Sequence, residues 1–355
     1  MDEKKIKFKT KDSIINACIS IYTQVKVSLD WSSIHDQDVL DLTNVFKNSN
    51  NIQILSLSFI KNQIGDQGAT AIGSCLANCL KLSSLKLRIS QNQINTEGAI
   101  GLVTSLQNLN NLQNVTFQLD FNKIGVQGAS ALGSAFGNCK SLSKLYLSIY
   151  KNEICNQGAI LLGQHLQKSK SIIQLHLGLN ENKAHDEGAC NLGQNLAKLD
   201  KLSNLELQIA KNNIKEFGAS ILLNSLVNCK NLYKLNLFLY SNLLGAQGAF
   251  AVGSALEQCA QLSILTLSLD KNYIRDQGII KLASSLACCK KLFALTLSLL
   301  SNDISQNGLS FLCSTISKCN NIQVLKLHLW QNINTQFNVG KMFKMKRLVE
   351  LQAQF

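Results

Sequence analysis

Along the stretch "NIQILSLSFIKNQIGDQGATAIGSCLANCL" (51–80), the spacing of apolar positions changes once. Leu55, Leu57 and Phe59 alternate with polar neighbours behind Ile52, the period-2 pattern of a strand. Ile64 follows an asparagine, and then Ala69, Ile72 and Leu76 recur at helical spacing, which predicts an amphipathic helix over roughly 66–78. The whole order then returns every thirtieth residue. Asn62 becomes Asn92, Asn122, Asn152, Asn182, Asn212, Asn242, Asn272, Asn302 and Asn332. Gly68 recurs at the same interval as far as Gly308, and Asn338 stands in that column in the last unit.

A column of asparagine at the exit of every predicted strand has a physical reason. The chain turns inward there, so backbone groups lose their ladder partners inside the core. An Asn amide offers both a donor and an acceptor, and a stack of them can satisfy those groups repeat after repeat. A buried backbone group left unsatisfied costs about 1–3 kcal/mol. The Gly-Ala pair marks the helix start, where small side chains are expected to let the helix lie close to the strand.

The pattern Asn-x-Ile-Gly-x-x-Gly-Ala followed by Leu-x-x-x-Leu, after L-x-x-L-x-L, resembles the ribonuclease-inhibitor-like class of leucine-rich repeats. The resemblance covers about residues 22–355. It implies an α/β leucine-rich repeat solenoid, a horseshoe with a parallel concave β-sheet and outer helices. One departure is plain: four residues, not two, separate Leu57 from Asn62. Each strand is therefore expected to be about two residues longer, with Phe59, Ile89, Leu119, Ile149 and Leu179 adding an inward apolar row. The ends degenerate as caps of a repeat array do. Tyr22, Val25, Val27 and Leu29 form a first strand and Val39, Leu42 and Phe46 its helix face, with Ser32 and Asp38 replacing the Asn and Gly. Leu348, Leu351 and Phe355 form a last strand. The reading is thus twelve strands, starting near 25, at every thirtieth residue from 55 to 325, and near 351. Residues 1–21 are expected to be an N-terminal cap segment and 22–355 a single repeat domain of about eleven repeats plus a capping strand.

Composition supports a packed, ordered chain. Hydrophobic residues make up 46% and charged residues 16% of 355, and there is no proline, whose missing N–H would break strands and helices. The start, "MDEKKIKFKTKDS", lacks the apolar stretch of a signal peptide, and no apolar run approaches a membrane span. A soluble cytoplasmic protein is expected. Cys79, Cys139, Cys229, Cys259, Cys289 and Cys319 share one column at the helix C-terminal end, where Leu109 and Leu199 also stand. Buried, reduced thiols explain that column. The Cys75/Cys79 pair fits one helical turn in a core, and Cys288 and Cys289 should point to different faces.

No constellation for chemistry emerges. The five histidines show no H-E-x-x-H pattern, and neither a phosphate loop nor a nucleophile elbow is present. The expectation is a non-enzyme without metal or cofactor. The net charge of +13 gathers partly in Lys140, Lys170, Lys201, Lys230, Lys290 and Lys291, where helix dipoles favour cations. A basic rim recruiting an acidic partner is the other reading of those lysines. Arginine is too scarce, and too little interleaved with aromatics, for a nucleic-acid binder. What remains is the outward side of the strands, the positions equivalent to 56, 58 and 60. There Tyr146, Tyr150, His176, Asn180, Glu206, Phe238, Tyr240, His328 and Trp330 are the candidate partner-binding residues. They form either a solvated sheet with scattered aromatics or a binding stripe, since surface aromatics commonly anchor protein partners. Tyr150 and Tyr240 are expected three strands apart, about 15 Å at ~4.8 Å per strand. The resemblance implies a monomeric protein-binding scaffold. Its alternative is a regulator similar to the Ran GTPase-activating proteins, although those usually carry an acidic tail and this C-terminal stretch, "GKMFKMKRLVELQAQF", is basic.

Overall fold

The alternation of apolar residues builds parallel strands, with helices between them among the described residues. The computed structural model describes residues 4–47, 49–332 and 350–354, the last of these as backbone. Two compact units divide the chain, 1–182 and 183–355. In the N-terminal unit the strands are β1 (Lys5–Phe8), β2 (Gln24–Ser28), β3 (Ile54–Ser58), β4 (Ser84–Arg88), β5 (Asn114–Gln118), β6 (Lys144–Ser148) and β7 (Gln174–Gly178). They pair in parallel in chain order, one residue opposite its equivalent thirty later from β2 onward. Its helices are α1 (Lys11–Ile15), α2 (Asp36–Asn44), α3 (Asp66–Leu76), α4 (Thr96–Val103), α5 (Gly125–Asn138) and α6 (Cys155–Leu166).

The C-terminal unit repeats the plan. Its strands are β8 (Asn204–Gln208), β9 (Lys234–Phe238), β10 (Ile264–Ser268), β11 (Ala294–Ser298), β12 (Val324–His328) and β13 (Glu350–Gln354), again parallel in chain order. Its helices are α7 (His185–Leu196), α8 (Glu216–Leu226), α9 (Gly245–Gln258), α10 (Arg275–Cys288) and α11 (Gln306–Ile316).

Each repeat buries the residues its pattern marks. Leu55, Leu57, Phe59, Ile64, Ile72 and Leu76 are all buried, and so are their equivalents. Burying such a side chain stabilises by roughly 2 kcal/mol, so the inward stripe outweighs helix propensity, which interior glycines lower. The additional apolar row is present too: Phe59, Ile89, Leu119, Ile149 and Leu179 are buried. The regular strands are five residues long, yet ladder bonds continue past them, from Phe59 N to Arg88 O at 2.8 Å and from Lys61 N to Ser90 O at 2.9 Å. At Lys61, Gln91, Phe121 and Lys151 the backbone then turns left-handed, with φ of 52–57°. No glycine occupies that column, so each such turn costs on the order of 1 kcal/mol.

The asparagine column meets that cost with hydrogen bonds. Asn62 Oδ1 accepts from the amides of Ser32 and Ile34, both at 3.0 Å, and its Nδ2 donates to Leu29 O at 2.8 Å. Asn182 does the same one turn of the array after another: Asn152 N and Ile154 N donate to its Oδ1, and its Nδ2 donates to Ile149 O at 2.8 Å. In the C-terminal unit Asn302 accepts from Asn272 N at 2.9 Å and donates to Leu269 O at 2.9 Å. The side chains of Asn152, Asn212, Asn272 and Asn302 are wholly buried.

Gly68 serves a different neighbour from the one its spacing suggests. A Cβ there would stand 2.6 Å from Asp36 Oδ1 and 2.8 Å from Ile64 Cγ2. The small residue therefore admits the first turn of the preceding helix, not the strand. That acid has a purpose: Asp36 Oδ1 accepts Gly65 N at 2.6 Å, and Asp66 Oδ1 accepts Asn95 N and Gly98 N at 2.7 and 3.0 Å. A carboxylate at one helix start thus caps the next helix, where unpaired amides and the dipole favour it.

The N-terminal segment holds more than a cap. Among the described residues there are thirteen strands, one beyond the twelve expected, and the addition is β1, whose Lys5–Phe8 pair with Gln24–Val27. Its signal was Ile6 and Phe8 at period 2, hidden among lysines. Lys11 of α1 pairs with Asp38 and, at 3.5 Å, with Asp41, so the residue replacing glycine at position 38 ties the segment to α2. The expected last strand exists as β13. Leu348, Phe355 and Asn338 lie outside the described residues.

All twelve cysteines are free thiols. Cys79, Cys139, Cys229, Cys289 and Cys319 are buried, and several thiols point back to the carbonyl four residues earlier, as Cys139 does to Ala135 O at 3.2 Å. Cys288 is exposed beside buried Cys289, as the adjacent pair requires. Burial pushes the thiols of Cys79, Cys139 and Cys259 up to about 11 and those of Cys229, Cys289 and Cys313 up to about 12. Such thiols stay protonated at neutral pH and act as small apolar groups.

Candidate functional site

The sheet face opposite the helices presents what the core leaves free. In the N-terminal unit, register places Tyr146 of β6 beside His176 of β7, and their rings stack flat, 3.8 Å between centroids and 10° between planes. The stack leaves His176 only 9% exposed, so Tyr146 is the presenting partner of the two. Tyr150 follows β6; its amide donates to Asp120 Oδ1 at 2.9 Å, and its ring meets Phe121 edge-on at 4.6 Å. Lys151 Nζ lies 5.5 Å from the Phe121 ring. Asn180, half-buried, accepts Lys151 N through its carbonyl at 3.0 Å.

In the C-terminal unit Glu206 accepts from Gln208 Nε2 at 2.8 Å and from Asn236 Nδ2 at 3.3 Å, so its carboxylate is held among amides along β8 and β9. Phe238 lies in β9 and Tyr240 just after it, both half-buried. His328, in β12, shares Phe238's register column across Ser268 and Ser298, so β10 and β11 separate the two. Trp330 is 58% exposed beyond β12. The candidates therefore fall into local groups: Tyr146 with His176, Tyr150 with Phe121, Phe238 with Tyr240, and His328 with Trp330.

Sequence reasoning overlooked the left-handed column just past the strands. Trp31 stands there, 69% exposed, with Lys61 Nζ 3.7 Å over its ring, and Phe121 stands there as well. These residues break the alternation rule, because the turn, not the pleat, aims them. The lysines past the helix ends, Lys140, Lys230 and Lys290, are exposed. Aspartates on the strand face are engaged: Asp30 Oδ1 accepts Ser58 Oγ at 2.7 Å and Ile60 N at 2.8 Å, and Asp270 Oδ1 accepts Ser298 Oγ and Leu300 N. Among the described residues no group of three His, Cys, Asp or Glu side chains is placed to hold a metal ion, and no helix is long and apolar enough to cross a membrane.

Residues 48–73 and 81–103 match the family described as Leucine Rich repeat. No curated protein matches the chain. Among solved structures, an internalin (inlF) from Listeria monocytogenes is 18% identical over 98% of this chain and 89% of its own, with a TM-score of 0.43. A chain of the yeast Rad7 and Elc1 complex is also 18% identical, over 97% of this chain and 78% of its own, with a TM-score of 0.52. Together with the strand–helix period of 30 residues, the Leucine Rich repeat match places the fold in the α/β class as a leucine-rich repeat solenoid.

Proposed function

We propose that this protein is a non-enzymatic scaffold that binds a protein partner on the outward face of its sheet. The observation that carries the reading is the set of aromatic side chains held ready on that face: Tyr150 braced by Phe121, Tyr146 backed by His176, and Phe238, Tyr240 and Trp330 turned outward. Ring packing costs a partner little further ordering, and Tyr and Trp dominate interface hot spots. A like fold was solved in yeast as a complex of two proteins. The Asn-x-Ile, Gly-Ala repeat with a helix in each unit supports the ribonuclease-inhibitor-like class. A monomer working in the cytoplasm fits free thiols throughout.

The test begins with partners recovered from native cytosol and measured again with purified components. Tyr150→Ala with Tyr240→Ala is expected to weaken binding about thirtyfold or more, with little change in melting temperature. Lys170→Ala with Lys230→Ala should mainly alter association rate and salt dependence. If the lysine pair abolishes binding and the tyrosine pair leaves it intact, the helix-end rim is the site.

A further inference from the structure

The outward face of β1–β4 carries a charge pattern that the aromatic groups do not explain. Lys7 of β1 lies directly opposite Lys26 of β2, and the same register row leads through Ser56 to Lys86. Like charges facing each other across a ladder destabilise a sheet, so such an arrangement costs something unless it is used. Lys5 precedes Lys7 on the same face, and Arg88 follows Lys86, with its Nε on Gln118 Oε1 at 2.8 Å. Within the strands themselves this face holds no carboxylate from β1 to β7, and the acids just past β2 and β5 are engaged, Asp30 by Ser58 Oγ and Ile60 N and Asp120 by Tyr150 N. A shallow depression of about 380 Å³ lies here, lined by Lys5, Lys7, Lys26, Gln24 and Ser56 around Ile54. Ile54 is 40% exposed, an apolar floor among cations.

We infer that this face of β1–β4 binds an extended acidic polypeptide segment, an inference that rests on the protein-binding reading above and names its partner's chemistry. Lys7 and Lys86 stand three strands apart, about 14 Å at ~4.8 Å per strand. Same-face side chains of an extended chain recur every ~6.8 Å, so carboxylates two and four residues apart span the distance. Ile54 receives an intervening apolar contact, and the serines and amides between the cations donate hydrogen bonds. A single-stranded nucleic acid would want aromatic rings interleaved with the cations for its bases. The strand positions of β1–β5 on this face hold none; the rings in the turns past β2 and β5 are engaged, Trp31 under Lys61 and Phe121 against Tyr150.

The experiment is fluorescence anisotropy of a labelled peptide alternating Glu and Ser, set against the Gln-Ser peptide and an oligothymidylate of equal charge. The acidic peptide is expected to bind, the Gln-Ser peptide not, and affinity to fall as salt rises past ~0.15 M. Lys7→Gln, Lys26→Gln and Lys86→Gln together should weaken the acidic peptide about tenfold. Lys140→Gln, Lys230→Gln and Lys290→Gln remove the same net charge elsewhere and should leave it nearly unchanged. All six lysines are exposed, and thermal melts confirm folding. Equal losses in the two triple variants would reduce the effect to net charge and overturn the assignment. Tighter binding of oligothymidylate, lost with the strand lysines, would make the face a nucleic-acid site instead. Absence of peptide binding alongside a strong effect of the tyrosine pair on a recovered partner would sink this inference and leave the wider reading standing.

Discussion

The two units share one scaffold and display different surfaces. At the strand positions facing away from the helices, β1–β7 carry Lys5, Lys7, Lys26, Lys86, Arg88 and Lys144, with acids only just past the strands, at Asp30 and Asp120. β8–β12 carry Lys234 and Lys326 against Glu206, and put Phe238 and His328 in the column where the first unit has Arg88, serines, Gln118 and Gly178. The buried columns do not differ in this way: leucine or another apolar residue fills them in both. Whatever packs is fixed by the period, and whatever faces water is free to be chosen. The two faces are thus independent variables on a common frame.

The sharpest test of the common frame is its asparagine column. Asn182→Leu in the N-terminal unit and Asn272→Leu in the C-terminal one each strand several buried backbone groups, at about 1–3 kcal/mol apiece. Each should lose at least about 3 kcal/mol in urea unfolding, whereas Asn138→Ala, exposed on α5, should change little. Unequal losses between the units would show that the frame is not shared in the way its hydrogen bonds suggest.

The architecture was legible because a leucine-rich repeat writes each structural requirement many times over. Leu55, Asn62 and Gly68 need no interpretation alone; their recurrence separates packing from accident. The outward residues carry no such redundancy. That His176 would be covered by Tyr146, or that Phe121 would brace Tyr150, depends on rotamers and on left-handed turns that alternation does not encode. β1 was missed for the opposite reason, since one short strand among lysines has no repeat to announce it.

Alkaline titration offers a second contrast between the units. The folded thiols ionise well above the ordinary 9, so the unfolded chain releases protons first and stability is lost as pH rises from about 9 toward 12. The C-terminal unit holds Cys190, Cys229, Cys259, Cys289, Cys313 and Cys319, against Cys75, Cys79 and Cys139 in the other. Alkylation mapped by mass spectrometry at pH 7 should mark Cys18, Cys155 and Cys288, which are exposed, well before any of these nine. Urea midpoints should fall between pH 8 and pH 10, and Cys229→Ala with Cys289→Ala should flatten that fall. A midpoint constant over this range would contradict the burial of the thiols.

The smallest effect belongs to the N-terminal unit alone. Lys11 holds the Asp38 carboxyl below its usual range through their hydrogen bond, helped by the His35 amide. The stability this contributes is present above the ordinary carboxylate value of 3.8 and disappears as pH falls through the lower folded one. Both side chains are partly solvated, so Lys11→Met should cost no more than about 1 kcal/mol at pH 7. The loss should shrink as pH falls below 3.8 and vanish once it has passed below the lowered folded value.

The asparagine bonds also have a direction. Asn62 completes the turn at Ser32–Ile34, and Asn182 the turn at Asn152–Ile154; each side chain serves the repeat made before its own. A chain leaving the ribosome therefore finishes no repeat when that repeat emerges, but only when the next asparagine arrives. Ser32 can stand at the head of the column because no earlier turn waits for it. The array is in this sense vectorial: synthesis order and hydrogen-bond order coincide, and every newly made repeat holds its predecessor shut.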